Sequence, residues 1–156
     1  GSFAVVGCIC LLILKFTLLV SLCGMPQSDK LCVLLIFPVV SRWAMVILLQ
    51  CFPYVRPEGL GAPFHLEKTK TWLASGFAFL TVALVVMILA SWSGMVLMIS
   101  MSGLALLIGW YVTRALGGLT GDVYGATNEI IEVMGLIFLV ALTPFGLFEQ
   151  FKIVIW

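Results

Sequence analysis

The chain has 156 residues, of which 63% are hydrophobic and 10% are charged, and its formal net charge is +1. A soluble domain has about 45–50% apolar and about 25% charged residues, so the composition excludes that class. The small net charge also argues against a nucleic-acid partner. Apolar runs of about 20 residues, long enough to cross a bilayer as a helix, recur along the chain. We therefore predict an all-α, polytopic transmembrane helix bundle.

Five membrane spans are predicted, separated by polar segments that contain glycine, proline and charged residues. The spans cover approximately residues 3–23, 32–52, 72–90, 95–112 and 129–147. The third and fourth spans are separated by a tight turn, Ser-Trp-Ser-Gly. The five cysteines lie in or beside apolar segments without CxxC spacing, which predicts free thiols and no zinc or disulfide framework. The whole chain, 1–156, is predicted to form a single transmembrane domain.

Five spans place the second and fourth polar connections on the same side of the membrane. Those connections carry more basic residues than the opposite side, so the positive-inside rule assigns them to the cytoplasm. The residues compared are Arg56, Lys68, Lys70 and Arg114 on one side, and Lys30 and Lys152 on the other.

Two basic residues, Lys15 and Arg42, fall inside predicted spans. Each costs about 2.5–3.5 kcal/mol to insert, so such residues usually face a counter-charge, a cavity or the bundle interior. We expect both to meet Glu129 and Glu132 at similar depth. A functional role and a structural ion pair or snorkelling are both open for Lys15. For Arg42 a functional role is favoured, because a guanidinium can bind an oxyanion in a bidentate manner.

The segment 114–132 concentrates glycines and carboxylates in an otherwise apolar sequence. If a helix begins near Thr120, one face carries several of these residues. That face contains Asp122, Gly125, Glu129 and Glu132. Carboxylate oxygens suit Mg²⁺, but they could equally neutralise Lys15, Arg42 or Arg114. The glycines at 117, 121 and 125 also match the small-xxx-small pattern of helix packing.

The polar connection after the second span offers a weaker candidate site. An arginine beside a Gly-Leu-Gly turn is compatible with a phosphate clamp, although an ordinary Pro/Gly loop is the more frequent explanation. A single histidine nearby could act as a general acid or base, but a solvated surface histidine is favoured. The residues concerned are Tyr54, Arg56, Gly59, Gly61 and His65.

Three ordered motifs resemble the cobalamin synthase family, the adenosylcobinamide-GDP ribazoletransferases. They are Leu-Lys-Phe at 14–16, then SRWAM at 41–45 with PYVR and GLG at 53–61, and GGLTGD at 117–122 followed by Gly125-Ala126 and Glu129. Members carry an aspartate-rich DGLADxxDG-type signature before the position equivalent to Phe3, and this sequence has none. We therefore expect a C-terminal fragment of a longer membrane enzyme, inactive alone, whose main metal ligands lie upstream.

The resemblance implies a phosphoryl transfer that belongs to the last steps of cobalamin biosynthesis. A hydroxyl of α-ribazole, or of its 5′-phosphate, would attack the cobinamide-side phosphate of adenosylcobinamide-GDP. GMP would leave, and adenosylcobalamin or its 5′-phosphate would form. Mg²⁺ is the implied cofactor, and the implied location is the cytoplasmic (inner) membrane of a prokaryote, with the site facing the cytoplasm. The bilayer is a further partner, and a homo-oligomer is compatible with the sequence.

The resemblance also implies a set of site residues. The implied catalytic residues are Asp122, Glu129 and Lys15. The implied substrate-binding residues are Arg42, Tyr54, Arg56, Gly59, Gly61, Gly117, Gly118, Thr120 and Gly121. The implied metal ligands within this chain are Asp122, Glu129 and Glu132.

Three other classes of protein compete with this hypothesis. A membrane phosphotransferase of the CDP-alcohol type would perform related chemistry, but the Thr-Gly-Asp stretch argues against it. A transporter or channel component would line its path with Lys15, Arg42 and Glu132. A purely structural subunit would pair these charges only with one another.

Overall fold

A computed structural model of the protein describes residues 2–55 and 68–142, with the side chains of 68–71 left aside. The described residues form four α-helices, and a short 3₁₀ turn, Leu22–Gly24, follows the first. The helices are α1 (Ser2–Ser21), α2 (Gln27–Cys51), α3 (Lys68–Leu116) and α4 (Gly121–Leu142). All five cysteines are free, as predicted.

The predicted class of fold is confirmed, but the described residues form four long helices rather than the five predicted. Within the described ranges, four helices are long and apolar enough to cross a membrane, and not five. The two segments predicted as the third and fourth spans both lie in α3. The turn predicted at Ser-Trp-Ser-Gly is shorter than expected, because helical geometry is lost only at Ser91.

Ser91 nevertheless reverses the direction of α3. Its φ of 53° and ψ of −141° lie outside the helical region. A Cβ built on Gly94 would lie 2.7 Å from Val86 Cγ1, although roughly eight residues of straight helix would separate the two by about 12 Å. The second half of α3 therefore packs directly against the first.

Contacts with α2 show the same reversal. The Trp43 indole donates a hydrogen bond to Ser102 Oγ at 3.2 Å, and its ring lies 5.5 Å from that of Phe79. In a straight helix, roughly 23 residues would place Phe79 and Ser102 about 35 Å apart. Because both contact one tryptophan, the two halves of α3 run antiparallel, and both ends of α3 lie at the same end of the bundle.

The core of the bundle centres on α2, which packs against both α3 and α4. Its buried apolar residues recur with helical spacing, so the apolar pattern of this span fixes the face that packs. These residues are Cys32, Val33, Ile36, Phe37, Val40, Ala44 and Leu48. By contrast, α1 has no buried residue and packs on α4 at the periphery.

The close packing at the α3 reversal can be tested by substituting Gly94 in the full-length protein. Gly94→Ala would place its Cβ 2.7 Å from Val86 Cγ1 and 2.8 Å from the Val86 carbonyl oxygen. Overpacking of this kind costs about 1–3 kcal/mol. We expect the free energy of unfolding in mixed detergent micelles to fall by that order.

Gly103→Ala is the matched control for Gly94→Ala. Gly103 lies in the same helix, and nothing lies within 4 Å of a Cβ built on it. Because alanine favours helix over glycine by up to about 1 kcal/mol, this variant should be as stable as the wild type or slightly more stable. Equal destabilisation by the two substitutions would contradict the folded-back α3.

Candidate functional site

A charged cluster joins α1 to α4. Lys15 Nζ lies 3.2 Å from Glu129 Oε2, and it also donates a hydrogen bond to Glu132 Oε2. Glu129 and Glu132 are three residues apart in α4, a spacing that places both on the helix face towards α1. The sequence therefore correctly predicted that the lysine and the two glutamates meet.

The two glutamates differ in their surroundings. The side chain of Glu132 is 7% exposed, whereas that of Glu129 is 39% exposed. Glu132 Oε1 accepts a hydrogen bond from Ser41 Oγ at 3.1 Å and another from Asn128 Nδ2 at 3.0 Å. Both oxygens of Glu132 are thus bonded, as a buried carboxylate requires.

Arg42 does not join this cluster, so its predicted meeting with the carboxylates is wrong. The Arg42 side chain is exposed, and its Nη1 lies 3.6 Å from Met45 Sδ. Successive residues of a helix point about 100° apart. Because Ser41 faces Glu132, its neighbour Arg42 is turned towards the outer surface of α2.

Asp122 is also separate from the two glutamates. It is exposed in the first turn of α4, and roughly seven residues of helix place it about 10 Å from Glu129. The described ranges contain no group of three His, Cys, Asp or Glu side chains placed to hold a metal ion. The predicted ligand set of Asp122, Glu129 and Glu132 therefore does not assemble. Since Lys15 also binds both glutamates, the described residues alone do not fit a Mg²⁺ ion.

Two of the predicted substrate-binding segments are joined by backbone hydrogen bonds. The Val55 amide donates to the Leu119 carbonyl at 3.0 Å, and the Leu119 amide donates to the Pro53 carbonyl at 2.8 Å. A Cβ on Gly118 would lie 2.7 Å from the Pro53 carbonyl oxygen, so only glycine allows this approach. The sequence predicted both segments for one site, and the structure places them side by side.

Aromatic rings extend the same connection into α4. The rings of Tyr54 and Tyr124 stack with their centroids 6.3 Å apart. Gly121, at the start of α4, lies close by, since a Cβ built there would be 3.9 Å from Tyr54 Oη. The carbonyl of Thr120 accepts the amides of Val123 and Tyr124. Tyr54, Thr120 and Gly121 therefore lie near one another at this end of the bundle.

The small-xxx-small explanation of the glycines is wrong for two of its three members. A Cβ added at Gly117 or Gly125 would meet nothing within 4 Å, so neither glycine permits close helix packing in the described part of the chain. Gly117 instead has a φ of +82°, a conformation that glycine adopts without strain. Its role is to end α3 and to direct the chain into the Gly118 contact.

The remaining predicted residues lie apart from the cluster or outside the described residues. The Arg114 guanidinium lies 5.5 Å from the centre of the Trp110 ring, a cation–π distance, and its side chain is exposed. It is not among the partners of Glu129 or Glu132. Residues outside the described ranges are Arg56, Gly59, Gly61 and His65.

Ser41 and Asn128 are site residues that the sequence analysis missed. Asn128 precedes Glu132 by one helical turn, so i, i+4 spacing could have identified it. Ser41 opens the SRWAM motif, but no helical spacing links it to its partner, which is far away in sequence. Several buried polar atoms in the same region have no hydrogen-bond partner within the described residues, and a polar ligand or water would satisfy them. These atoms are Thr113 Oγ1, Tyr124 Oη, Thr127 Oγ1 and Asn128 Oδ1.

Residues 1–140 match the family model for cobalamin-5-phosphate synthase. The chain belongs to this family. It is 37% identical over 138 residues to an adenosylcobinamide-GDP ribazoletransferase of Desulfitobacterium hafniense, covering 88% of this chain and 54% of that protein. The corresponding protein of Pseudomonas putida is 36% identical over 141 residues, covering 87% of this chain and 54% of the relative.

A more distant member of the family comes from Acinetobacter baumannii, with 32% identity over 149 residues, 94% of this chain and 57% of the relative. The chain thus spans about half the length of the curated relatives that it matches. No solved structure matches it.

Lys15→Met in the full-length protein tests the energetic role of the charged cluster. The substitution leaves Glu132 buried without its cation, and breaking a buried ion pair by removing one partner costs about 3–5 kcal/mol. We expect the free energy of unfolding in mixed micelles to fall by that order.

The double variant Lys15→Met/Glu132→Met is the matched comparison. It removes the buried carboxylate together with its cation, and apolar replacement of a whole buried pair is often neutral. We therefore expect the double variant to be more stable than Lys15→Met alone. A double variant less stable than the single one would argue against this ion pair.

Proposed function

We propose that the whole protein is an adenosylcobinamide-GDP ribazoletransferase. A hydroxyl of α-ribazole, or of its 5′-phosphate, attacks the cobinamide-side phosphorus of adenosylcobinamide-GDP. A new phosphorus–oxygen bond forms, the bond to the GMP oxygen breaks, and GMP leaves. The products are adenosylcobalamin, or its 5′-phosphate, and GMP.

The observation that supports this proposal most is the charged cluster within a chain of this family. Lys15, Glu129 and Glu132 meet between apolar helices, where ionisable residues are costly and usually functional. Phosphoryl transfer depends mainly on positioning and on neutralising charge. An ammonium beside a partly exposed carboxylate suits both requirements, since one group faces developing negative charge and the other can accept a proton.

The remaining roles are proposed from the chemistry of each residue and from the family motifs. We assign the pyrophosphate to Arg42 and Arg56, because a guanidinium binds phosphate oxygens in a bidentate manner. We assign the acceptor hydroxyl to Glu129, with Lys15 orienting it. The connection between α3 and α4 forms the backbone wall of the site, through Gly117, Gly118, Thr120 and Gly121, with Tyr54 beside it. Asp122 stands at the start of α4, at the edge of this wall.

We further propose that the whole protein uses Mg²⁺, with its principal ligands outside the described residues of this chain. Such an ion would neutralise phosphate charge. We also propose the cytoplasmic (inner) membrane of a prokaryote as the location, with the second and fourth predicted polar connections facing the cytoplasm. The backbone hydrogen bonds of Leu119 with Pro53 and Val55 support a common side for these two connections.

Complementation by the full-length gene tests the proposed activity. A bacterial strain that lacks its own ribazoletransferase and is fed cobinamide should grow when it receives the wild-type gene. The double variant Asp122→Ala/Arg56→Ala should fail, because it removes a carboxylate and a phosphate-binding cation. Gly103→Ala serves as the control, since Gly103 contacts nothing at its Cβ position. Failure of the wild type would contradict the function, and growth of the double variant would contradict the assigned roles.

Removal of divalent metal tests the proposed cofactor. GMP release by the purified full-length enzyme should stop in EDTA and return with excess Mg²⁺. Because Glu132 is bonded to Lys15, Ser41 and Asn128, Glu132→Gln should leave the Mg²⁺ concentration for half-maximal rate within about twofold of the wild-type value. Full activity in EDTA would refute the Mg²⁺ requirement, and a large shift for Glu132→Gln would make Glu132 a ligand.

A further inference from the structure

We propose that the two glutamates of the cluster have different roles, and that Ser41 and Asn128 are positioning residues for the reaction. In this arrangement Glu132 is a fixed anchor for Lys15, and Glu129 is the carboxylate that meets the substrate. Ser41 and Asn128 act indirectly, by holding Glu132. The kinetic consequences rest on the proposed transferase function, whereas the difference between the glutamates does not.

Glu132 is fixed because both of its oxygens accept hydrogen bonds from protein groups and its side chain is buried. Its Oε1 accepts hydrogen bonds from Ser41 on α2, at 3.1 Å, and from Asn128 on α4, at 3.0 Å. Its Oε2 accepts one from Lys15. Three donors from three different helices hold a side chain that is only 7% exposed. This burial and these three bonds restrict the access of a substrate to Glu132.

Glu129, by contrast, is more exposed than Glu132 and has fewer hydrogen bonds within the described residues. Its Oε2 accepts a hydrogen bond from Lys15 at 3.2 Å, and its Oε1 accepts none from the part of the chain that the structure describes. Its side chain is 39% exposed. One oxygen is therefore oriented by the ammonium, and the other is available to a substrate hydroxyl.

Lys15 bonds to both carboxylates and therefore couples their positions. It sits on α1, which contributes no buried residue to the bundle, so packing of α1 alone leaves the ammonium weakly constrained. The bond to Glu132 constrains it, and Glu132 is in turn constrained by Ser41 and Asn128. A small shift of Glu132 thus moves the ammonium away from Glu129, and displacements near 1 Å in a catalytic group can lower rates by about 10²-fold.

The proton released by the acceptor hydroxyl determines the role of Glu129 in the reaction. As the acceptor oxygen bonds to phosphorus, its hydroxyl proton passes to Glu129 Oε1, while the electron pair of the broken bond leaves on GMP. Lys15 keeps its proton and remains bonded to Glu132. Glu129 thus acts as the general base, a contribution of about 10²–10⁴-fold in other enzymes.

Steady-state kinetics of the full-length enzyme in lipid nanodiscs distinguish these roles. We expect Glu129→Gln to lower kcat by about 10²-fold or more. Ser41→Ala and Asn128→Ala should each lower kcat about tenfold and leave KM for both substrates within about threefold, because neither touches substrate. Ser100→Ala is the control. The Ser100 hydroxyl donates a hydrogen bond to the Leu97 carbonyl within α3, away from the charged cluster, so kcat should stay within about twofold.

Carboxyl labelling provides a readout that does not require activity. A carbodiimide with an amine nucleophile, followed by mass spectrometry, should modify Glu129 at least about tenfold faster than Glu132 in the wild type, because only Glu129 is exposed and incompletely bonded. Ser41→Ala should raise the labelling of Glu132. Equal labelling of the two glutamates in the wild type would overturn the proposal.

The two measurements separate the possible failures. Absence of transfer by the wild-type enzyme, with unequal labelling, would refute the proposed function and leave the distinction between the glutamates standing. Normal transfer with an unchanged kcat in Ser41→Ala and Asn128→Ala would refute the positioning role. A raised KM with unchanged kcat would make Ser41 or Asn128 a substrate contact, which also contradicts the proposal.

Discussion

The sharing of one ammonium between two carboxylates is the interaction on which the arrangement of α1, α2 and α4 depends. Peripheral α1 contributes no buried side chain, and Lys15 is its polar attachment to α4. Ser41 of α2 donates a hydrogen bond to Glu132, one of the two carboxylates, so α2 joins the same cluster. In a low-dielectric interior such a network is strong when every member is bonded and costly when one is not. The bundle and the candidate site are therefore stabilised by the same few atoms.

The central helix α2 separates two environments. Ser41 faces α4 and the charged cluster, whereas Trp43 faces the folded-back α3 through Ser102 and Phe79. On the α3 side, an apolar cavity of about 330 Å³ lies beside Trp43 and Phe79. The charged cluster thus lies on one face of α2, and Arg42 points towards neither neighbour. Arg42 therefore lies at the outer surface of the bundle.

Composition and motifs were enough to predict the helical class, the family and the meeting of Lys15 with both glutamates, because buried charges in apolar helices have few possible partners. They failed at Arg42, since depth in the membrane is readable from sequence and the direction of a side chain around the helix is not. They placed a turn at Ser-Trp-Ser-Gly, where the chain does reverse, but they did not predict that helical geometry would be lost at the single residue Ser91. The motif that contains Ser41 does not show which residue it bonds, because its partner lies 91 residues away.

The sequence distance within the cluster has a consequence for biosynthesis. Lys15 and Glu129 are 114 residues apart, and translation proceeds at about 5–20 residues per second. The ammonium therefore enters the membrane roughly 6–23 seconds before its carboxylates are made. Its long aliphatic stem allows the charge to reach the lipid headgroups during that interval, which a short acidic side chain at the same position could not do. Placing the cation on α1 and the anions on α4, later in the chain, suits the order in which the ribosome delivers them.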